Sequence, residues 1–582
     1  MKFSQFAHYL SNLEKTSSRL EITRILAQVF KTVSVQEIDK VCYLSLGRLA
    51  PRYAGIELSM AEKMMIRAIS AVLGVSSGQV TKDYKKSGDL GEVVLNHNPP
   101  AGGSKITVSQ VHQKLLEIAK EGGERSQERK VNKMVELLKS VDGLSAKFLV
   151  RIPLQKLRLG FSDMTVLDSL SWSKTGDKSL RKPLENAFNV LADIGKIAAI
   201  FKTEGTEGIK KIKPEVGVPI LPAKAERLKT PQEILEKMAG QCALEPKYDG
   251  LRVQVHIDKS KKLTVEEKIN LNLFSQKPQF FVRIFSRNLE NMTHMFPDIV
   301  TAAQKLTVKS SILDGEAIAF DPKNGKFLPF QETVQRKRKH GVAEKSKQLP
   351  LKVFCFDILN LDNESLLEKP FSERRKILER LLGKKTETIL LTEQEVVTAP
   401  LEFEEFFKRV VNEGLEGLMA KKLDSIYQAG ARNFNWVKFK AGMTKDLADT
   451  VDCVVMGYYV GLGKRTGFGL GAFLVGVPDK DKILTVSKIG TGLTDEQWRE
   501  MYKRCQKLKV SDKPKEYEVH KNLFPDVWCR PALVVEIEAD TITKSPIHTA
   551  GLALRFPRLK HFRDDKDPGQ ATSLKELKNL VK

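Results

Sequence analysis

Through the first third of the chain, apolar residues recur three and four positions apart. The segments that show this spacing are LSMAEKMMIRAISAVLG, SQVHQKLLEIAKE and SQERKVNKMVELLKSV. One face of an α-helix repeats with that period, whereas the strict alternation of a strand is scarce before residue 215. The pattern predicts an all-α domain over residues 1–215.

The pattern changes where Pro214, Pro219, Pro222 and Pro231 mark an extended entry segment. Short alternating runs follow: LRVQVHI, FVRIFS, ILDGEAIAF, LKVFCFDIL and GLMAKKL. Helical patterns such as SERRKILERLLG separate them. Alternation with period two predicts strands, so residues 216–441 are expected to form an α+β domain built on antiparallel strands.

A third pattern begins after residue 441. TVDCVVMGYYVG, GAFLVGVP, ILTVSKIGTG and ALVVEIEAD are β-rich and separated by turns, with one helix in TDEQWREMYKRCQKL. Short strands of this kind suit a small β-barrel such as an OB-fold, expected over residues 442–582. A chain of 582 residues exceeds one hydrophobic core, so the fold class is multidomain.

Several classes of protein are excluded by composition. No apolar run approaches the roughly 20 residues that span a bilayer, and the N-terminal segment is too charged for a signal peptide. The six cysteines contain no CxxC pair, which argues against a zinc module and a disulfide framework. We therefore expect no membrane partner, reduced buried thiols and a cytoplasmic location.

The formal net charge of +24 points to a polyanionic partner. Basic surfaces gain affinity for nucleic acids by releasing counterions from the phosphates. A basic surface that serves only solubility is the alternative. We favour nucleic acid.

Candidate chemistry begins at Lys247 in the stretch EPKYDGLR. A free lysine has a pKa of about 10.4, so a lysine nucleophile must be desolvated or placed among other cations. Asp249 and Gly250 form a turn that can aim the side chain, and Arg252 can bind phosphate. Taken alone, a solvated lysine at a strand edge explains this stretch better.

Further candidates follow Lys247 in a fixed order. Singly, each has an ordinary explanation, such as a solvated carboxylate, a core phenylalanine or an exposed strand lysine. Together they form a specific series: Arg287 in FSRN, Glu316 in DGEAI, Phe356 in FDIL, Glu416 and Lys421 in EGLMAK, Arg432, Lys438 and Lys440 in RNFNWVKFK, and Arg555 and Arg558 in LRFPR.

This series resembles the covalent nucleotidyltransferases, and most of all the ATP-dependent DNA ligases of archaeal and eukaryotic type. The resemblance covers essentially the whole chain. The helical part is similar to that family's DNA-binding domain in the stretches SGDLGEVV and LQKLRLGFSDMTVLDSL. It implies an enzyme that seals 5′-phosphate/3′-hydroxyl nicks in duplex DNA during replication, repair and recombination.

The resemblance also implies residue roles. Lys247 would attack the α-phosphate of ATP to form lysyl-AMP. Glu316 and Glu416 would bind Mg²⁺, with Mn²⁺ as a substitute. The residues that would contact the nucleotide are Glu245 through its backbone, Arg252, Arg287, Glu316, Phe356, Arg432, Lys438, Lys440 and Arg555, the last only if its domain closes over the site.

The partner implied is nicked double-stranded DNA, bound by a monomer near the nucleoid. No clear sliding-clamp peptide is found. The alternatives with the same first step are an RNA ligase and a GTP-dependent capping enzyme, which the large helical domain argues against. A DNA-binding scaffold without catalysis is opposed by the intact lysine and both glutamates, and a NAD-dependent ligase by the lack of paired cysteines.

One departure from the family pattern lies near residues 259–280. SKKLTVEEKINLNLFSQKPQF separates two predicted strands that the family joins by a short turn. It has the character of an insertion in a hairpin, and loop insertions cost little free energy. We assign it no role.

Overall fold

The computed structural model describes residues 1–97, 105–263, 280–323, 325–338, 341–383, 387–440, 450–461, 467–539 and 541–580. The chain divides into two compact units, Met1–Phe439 and Lys440–Lys582. The insertion predicted near residues 259–280 falls largely on residues 264–279, outside the described residues.

The first unit opens with a helical region, as the apolar spacing predicted. Its helices are α1 Phe3–Glu14, α2 Arg19–Thr32, α3 Ile38–Ser45, α4 Glu62–Leu73, α5 Ser77–Ser87, α6 Leu90–Asn96, α7 Val108–Lys120, α8 Ser126–Lys139, α9 Gly143–Arg151, α10 Asp163–Thr175, α11 Arg181–Val190 and α12 Ile194–Lys210.

Local sequence explains where these helices begin. The Thr107 hydroxyl accepts from the Gln110 backbone N–H, while the Gln110 side chain accepts from the Thr107 backbone N–H. This capping box satisfies amide groups that have no partner inside α7. The apolar faces of the helices meet in one buried core that includes Leu26, Leu44 and Leu149.

The second region of this unit mixes strands and helices. Its elements are β1 Lys224–Arg227, α13 Pro231–Lys237, β2 Cys242–Lys247, β3 Leu251–Lys262, β4 Phe280–Ser286, α14 Pro297–Lys305, β5 Ser310–Ala319, α15 Phe330–Val334, α16 Val342–Gln348, β6 Leu351–Leu361, β7 Glu364–Ser365, α17 Phe371–Leu382, β8 Ile389–Leu391, β9 Glu395–Val397, α18 Pro400–Asn412, β10 Gly417–Lys421 and β11 Arg432–Lys440.

These strands form two sheets. One has the order β1-β11-β10-β2-β9, and the other has the order β4-β3-β5-β6-β7 with β8 beside β6. Most pairs are antiparallel, as predicted, but β1 pairs parallel with β11 and β8 pairs parallel with β6. Ile220, Ile312, Leu359 and Trp436 are buried in one cluster that joins the two sheets.

The second unit is β-rich. Its elements are β12 Val451–Val460, β13 Leu470–Asp479, β14 Lys482–Ile489, α19 Asp495–Lys507, β15 Lys509–Val510, β16 Tyr517–Glu518, β17 Val527–Cys529, β18 Val534–Glu538, β19 Thr541–Lys544, β20 Leu552–Arg555, β21 Arg558–Phe562 and α20 Leu574–Asn579.

Eight of these strands share one sheet, whose main path runs β15-β17-β12-β13-β14-β16, with β18 joining β12 to β21. Trp498 and Met501 of α19 are buried against it. The pairings among the described strands follow an open path and do not close into a ring. The β-rich prediction is confirmed, while the OB-fold barrel stays a prediction.

Two expectations from composition can be compared with the structure. All six cysteines are free and buried, as predicted. Within the described ranges, no helix is both long and apolar enough to cross a membrane.

Candidate active site

A cavity of about 560 Å³ lies between the two sheets of the first unit. β2, β10 and β11 contribute to one side, and β3, β5 and β6 contribute to the other. The predicted site residues that line it are Glu245, Lys247, Arg252, Arg287, Glu316, Phe356, Lys421, Arg432 and Lys438. Residues spread over almost 200 positions of sequence therefore surround one space.

Lys247 is the last residue of β2 and lies opposite Gly417 in the antiparallel pair with β10. Its Nζ donates a hydrogen bond to the Glu416 carboxylate, and the Glu416 backbone N–H donates to the Lys247 carbonyl at 3.2 Å. The side chain is 21% exposed. Strand pairing thus fixes a half-buried amine beside a carboxylate.

Opposing effects act on the Lys247 amine. Burial lowers its pKa, helped by the positive charge of Arg287, while Glu316 and Asp249 oppose the shift. The hydrogen bond with Glu416 also favours the ammonium form, because a carboxylate stabilises a neighbouring cation. The net pKa is lowered, which is the direction that a nucleophilic amine requires.

A tight turn follows Lys247 and depends on Gly250. A Cβ atom at this position would lie 2.4 Å from the Ala317 carbonyl oxygen of β5. That is far closer than ordinary van der Waals contact, so any larger residue would push the turn away from β5. The glycine lets the chain leave β2 and enter β3 directly against the site.

Arg252 is held firmly in the cavity wall. Its Nε and Nη2 donate to Asp314 at 3.1 and 2.7 Å, and its Nη1 donates to the Ala223 carbonyl at 2.7 Å. Asp314 and Glu316 are two positions apart on β5, and Glu316 lies opposite Arg252 across the β3–β5 pair. The bidentate contact fixes the direction of the guanidinium.

Glu316 is a carboxylate of this site whose titration is altered by burial. Burial raises its pKa to about 7, although the positive charges of Arg252 and Lys247 oppose the shift. An added cation at the same place would favour the ionised carboxylate.

Phe356 presents an aromatic wall. Its ring packs edge-on against Trp436 with centroids 5.8 Å apart, and the Arg252 guanidinium lies 5.3 Å from the Phe356 ring centroid. Both aromatic residues line the cavity. Such a surface can stack against a flat heteroaromatic ring.

Positive charge is concentrated at the end of the cavity near Lys247. Burial lowers the pKa of Lys438, and the charges of Arg227, Lys247, Arg432 and Arg287 lower it further. Closely spaced cations repel one another, and an anionic phosphate group bound between them relieves that repulsion. This cluster is therefore suited to bind phosphate groups.

Four predicted residues do not line the cavity, and one of them, Arg558, is the first residue of β21 in the second unit. Glu416 contacts Lys247 but is absent from the lining, and so is Lys440, two residues beyond Lys438 on β11. Arg555 belongs to the second unit, where its Nε donates to the Thr543 hydroxyl at 2.9 Å.

Sequence reasoning missed Trp436, Met419 and Asp314. Trp436 shares a strand face with Arg432 and Lys438, and Asp314 shares one with Glu316, so period-two alternation could have indicated both. Met419 faces the cavity from β10 and had no distinguishing signal.

The carboxylates fit a magnesium ion only together with a substrate. Within the part of the chain that the structure describes, no three His, Cys, Asp or Glu side chains form a metal-binding group. Mg²⁺ is commonly bound by one or two carboxylates plus phosphate oxygens and water. Glu316 and Glu416, both close to Lys247, offer that donor set.

Three family models match this chain in order. The DNA ligase N terminus matches residues 2–171, the ATP dependent DNA ligase domain matches residues 222–440, and the ATP dependent DNA ligase C terminal region matches residues 466–566. The second match contains every predicted site residue except Arg555 and Arg558, which fall in the third.

Two relatives that match this chain over nearly their whole length are also named as DNA ligases. The chain is 44% identical over 593 residues to the probable DNA ligase of Dictyoglomus turgidum, covering 100% of this chain and 98% of that protein. It is 40% identical over 608 residues to DNA ligase 2 of Thermofilum pendens, covering 100% and 97%.

A solved structure named Pmar-Lig_PreS3 matches with a TM-score of 0.54 and 20% identity, covering 96% of this chain and 99% of that one. This likeness shows a common fold. The relatives and the family models show more: the chain belongs to the ATP-dependent DNA ligase family, whose members are enzymes that bind and seal nicked DNA.

Proposed function

We propose that Lys247 is the residue that carries AMP in this ligase. The observation that carries the proposal is the place of its amine: half-buried at the end of β2, in a cavity lined by several cations and by an aromatic wall. These are the surroundings that a nucleoside triphosphate requires around an attacking amine.

In the first step, the neutral Lys247 amine attacks the α-phosphorus of ATP. A phosphorus–nitrogen bond forms, and the bond from that phosphorus to the bridging oxygen breaks, releasing pyrophosphate. Lys438 and Arg432 neutralise the phosphate charge, with Lys440 near the end of the same strand as a further contact. Catalysis here consists mainly of positioning and charge neutralisation.

The amine must lose a proton before it attacks. Glu416 is the group that already accepts a hydrogen bond from Lys247 Nζ. We assign it the task of accepting this proton as ATP approaches and passing it to solvent before the carboxylate joins the metal site, since a carboxylate within hydrogen-bond reach can serve as a general base.

The nucleoside is bound at the other end of the cavity. Phe356 stacks on the adenine, and the backbone of Glu245 contacts its edge. Arg252, fixed by Asp314, together with Glu316 contacts the ribose. Arg287 follows the end of β4 at the exposed mouth, where it meets phosphates of ATP and later the 5′-phosphate of the nick.

The next two steps move AMP onto DNA and off again. An oxygen of the nick 5′-phosphate attacks lysyl-AMP, and the breaking phosphorus–nitrogen bond returns the Lys247 amine. The 3′-hydroxyl then attacks the DNA 5′-phosphorus, loses its proton and displaces AMP. A phosphodiester bond remains in the sealed strand.

Glu316 and Glu416 are proposed to hold Mg²⁺, or Mn²⁺ in its place, when nucleotide is present. The ion supplies charge neutralisation at the phosphate oxygens. With the ion bound, Glu316 stays ionised despite its burial.

For the second unit we propose an OB-fold that closes over the nucleotide, so that Arg555 reaches ATP. We propose that the protein acts as a monomer in the cytoplasm, near the nucleoid. Its binding to nicked duplex DNA agrees with the net charge of +24.

Incubation with α-labelled ATP and Mg²⁺, followed by a denaturing gel, tests the proposal. Wild type and Lys262→Ala, a change at an exposed lysine of β3, are expected to carry label, whereas Lys247→Ala is expected to carry none. Enzyme-bound AMP is removed beforehand with pyrophosphate. Label on the Lys247→Ala protein, or none on the wild type, would overturn the proposal.

A further inference from the structure

A buried charge network lies beside the aromatic wall. Glu245 and Lys421 are each only 1% exposed, and Lys421 Nζ lies 2.7 Å from Glu245 Oε2. Gln394 Nε2 donates to Glu245 Oε1 at 3.0 Å, and Arg375 Nη1 lies 3.6 Å from the same oxygen. Two cations and an amide therefore surround the buried carboxylate of a residue that lines the cavity.

Lys421 connects this carboxylate to Phe356. Its Nζ lies 4.6 Å from the Phe356 ring centroid and 4.5 Å from that of Trp436. It also donates to the Phe356 carbonyl at 3.1 Å. The Glu245 carboxylate is thus one ammonium group away from the surface proposed to stack on the base.

Arg375 approaches the carboxylate from α17 and is itself anchored. Its Nη2 donates to the Thr392 carbonyl at 2.8 Å, and its Nε donates to Glu379 at 2.8 Å. Its Nη1 is buried and makes no hydrogen bond to the described residues, although it faces Glu245. These two contacts fix the guanidinium in an orientation that points Nη1 toward the Glu245 carboxylate.

This charge matters because Glu245 is fully enclosed. Burial raises the pKa of Glu245, and the charges of Lys421 and Arg375 limit that rise without cancelling it. An ionised carboxylate only accepts hydrogen bonds, whereas a protonated one can also donate. The cations around Glu245 therefore decide which partner it can bind.

We propose that Arg375 is a positioning residue that holds Glu245 as a hydrogen-bond acceptor at the base end of the cavity and so favours adenine over guanine. The inference rests on the proposed nucleotide site. Adenine carries an amino donor at the position where guanine carries a carbonyl acceptor. An acceptor-only side chain pairs with the first and repels the second, in addition to the backbone contact of Glu245.

The test compares Arg375→Met, Arg375→Lys and the control Arg380→Met, a change at an exposed arginine of the same helix. Labelling rates are measured with α-labelled ATP and GTP over a range of concentrations. We expect Arg375→Met to raise KM for ATP about tenfold and to lower the ratio of kcat/KM for ATP to kcat/KM for GTP about tenfold. The value of kcat for ATP should change little. Arg375→Lys should recover most of the loss.

Gln394→Leu gives a second measurement on the same carboxylate, without touching α17. It should shift the ATP-to-GTP ratio in the same direction and remains informative if Arg375→Met does not fold. Unchanged KM and unchanged ratio in folded variants, or a fall in kcat alone, would overturn the positioning role. Wild-type labelling in the same assay tests the proposed function separately, and its failure would overturn both.

Discussion

Glu416 Oε2 accepts a hydrogen bond from Lys247 Nζ across the pairing of β2 with β10. The two residues are 169 positions apart in sequence. Their contact follows from the register that sets Gly417 opposite Lys247. Strand register therefore brings the proposed nucleophile and its proposed proton acceptor into contact.

Replacing this carboxylate should slow adenylation. Glu416→Gln keeps the size of the side chain but accepts a proton poorly, so we expect the first-turnover labelling rate to fall about a hundredfold. Rapid-quench labelling at saturating ATP measures it. Glu413→Gln, at an exposed position before β10, serves as the matched control. Equal rates in both variants would show that Glu416 takes no part in this step.

The aromatic wall should contribute mainly to nucleotide affinity. Phe356→Ala removes the proposed stacking surface, and base–aromatic stacking is worth about 1–3 kcal/mol. We expect KM for ATP to rise roughly tenfold or more, with a small change in kcat, while Phe356→Tyr stays near wild type. Phe434→Ala, at an exposed position on β11, is the control. A loss confined to kcat would be inconsistent with stacking.

The turn after Lys247 should tolerate no side chain. Gly250→Ala places a Cβ 2.4 Å from the Ala317 carbonyl oxygen, whereas a Cβ at Gly122 meets nothing within 4 Å. We expect Gly250→Ala to lower the free energy of unfolding by about 1–3 kcal/mol and to reduce labelling strongly. Gly122→Ala should change neither quantity. Denaturant unfolding and the labelling gel measure both, and a stable, active Gly250→Ala protein would refute the contact.

His256 should make the protein sensitive to mild acid. Burial, with a smaller effect from Lys261, lowers its pKa to about 3, and its Nδ1 accepts a hydrogen bond from the Gly217 N–H at 3.1 Å. The unfolded chain therefore binds a proton below about pH 6.5 that the folded protein does not bind until about pH 3. Stability contributed by this residue is present above pH 6.5 and is lost as the pH falls through that window.

Thermal unfolding at pH 7 and pH 5 measures this loss. His256→Asn should show a smaller drop in Tm between the two pH values than the wild type shows. His8→Asn, at an exposed histidine of α1, should keep the wild-type drop. An identical drop in all three proteins would mean that His256 is not the responsible group.

Much of this architecture could be predicted from the sequence. Short alternating runs in the sequence predicted β3, β5, β6 and β11. Burial alternates along the first half of β6, whereas β3 and β5 are buried on both faces over most of their length. The cavity residues Glu316 and Lys438 were predicted from the ordered series of motifs and its resemblance to the ligases, not from alternation. The helical spacing identified the first region, because the apolar faces of its helices pack into one core.

Other features depend on contacts between distant segments. Lys421 looks like any strand lysine until β10 pairs with β2 and buries it against Glu245. In the sequence, Arg375 is one of several charged residues on an amphipathic helix. Only the packing of α17 brings it close to the Glu245 carboxylate. Local patterns specify strands and helices, whereas register and packing decide which charges meet.

The central claim concerns one atom, the Nζ of Lys247. The most direct test is to incubate the protein with ATP and Mg²⁺, digest it and locate AMP on its peptides by tandem mass spectrometry. We predict AMP on Lys247 alone, and its loss when nicked DNA is added, as sealed strand appears. AMP on another residue, such as Lys438, or a Lys247 adduct that nicked DNA does not remove, would contradict the account.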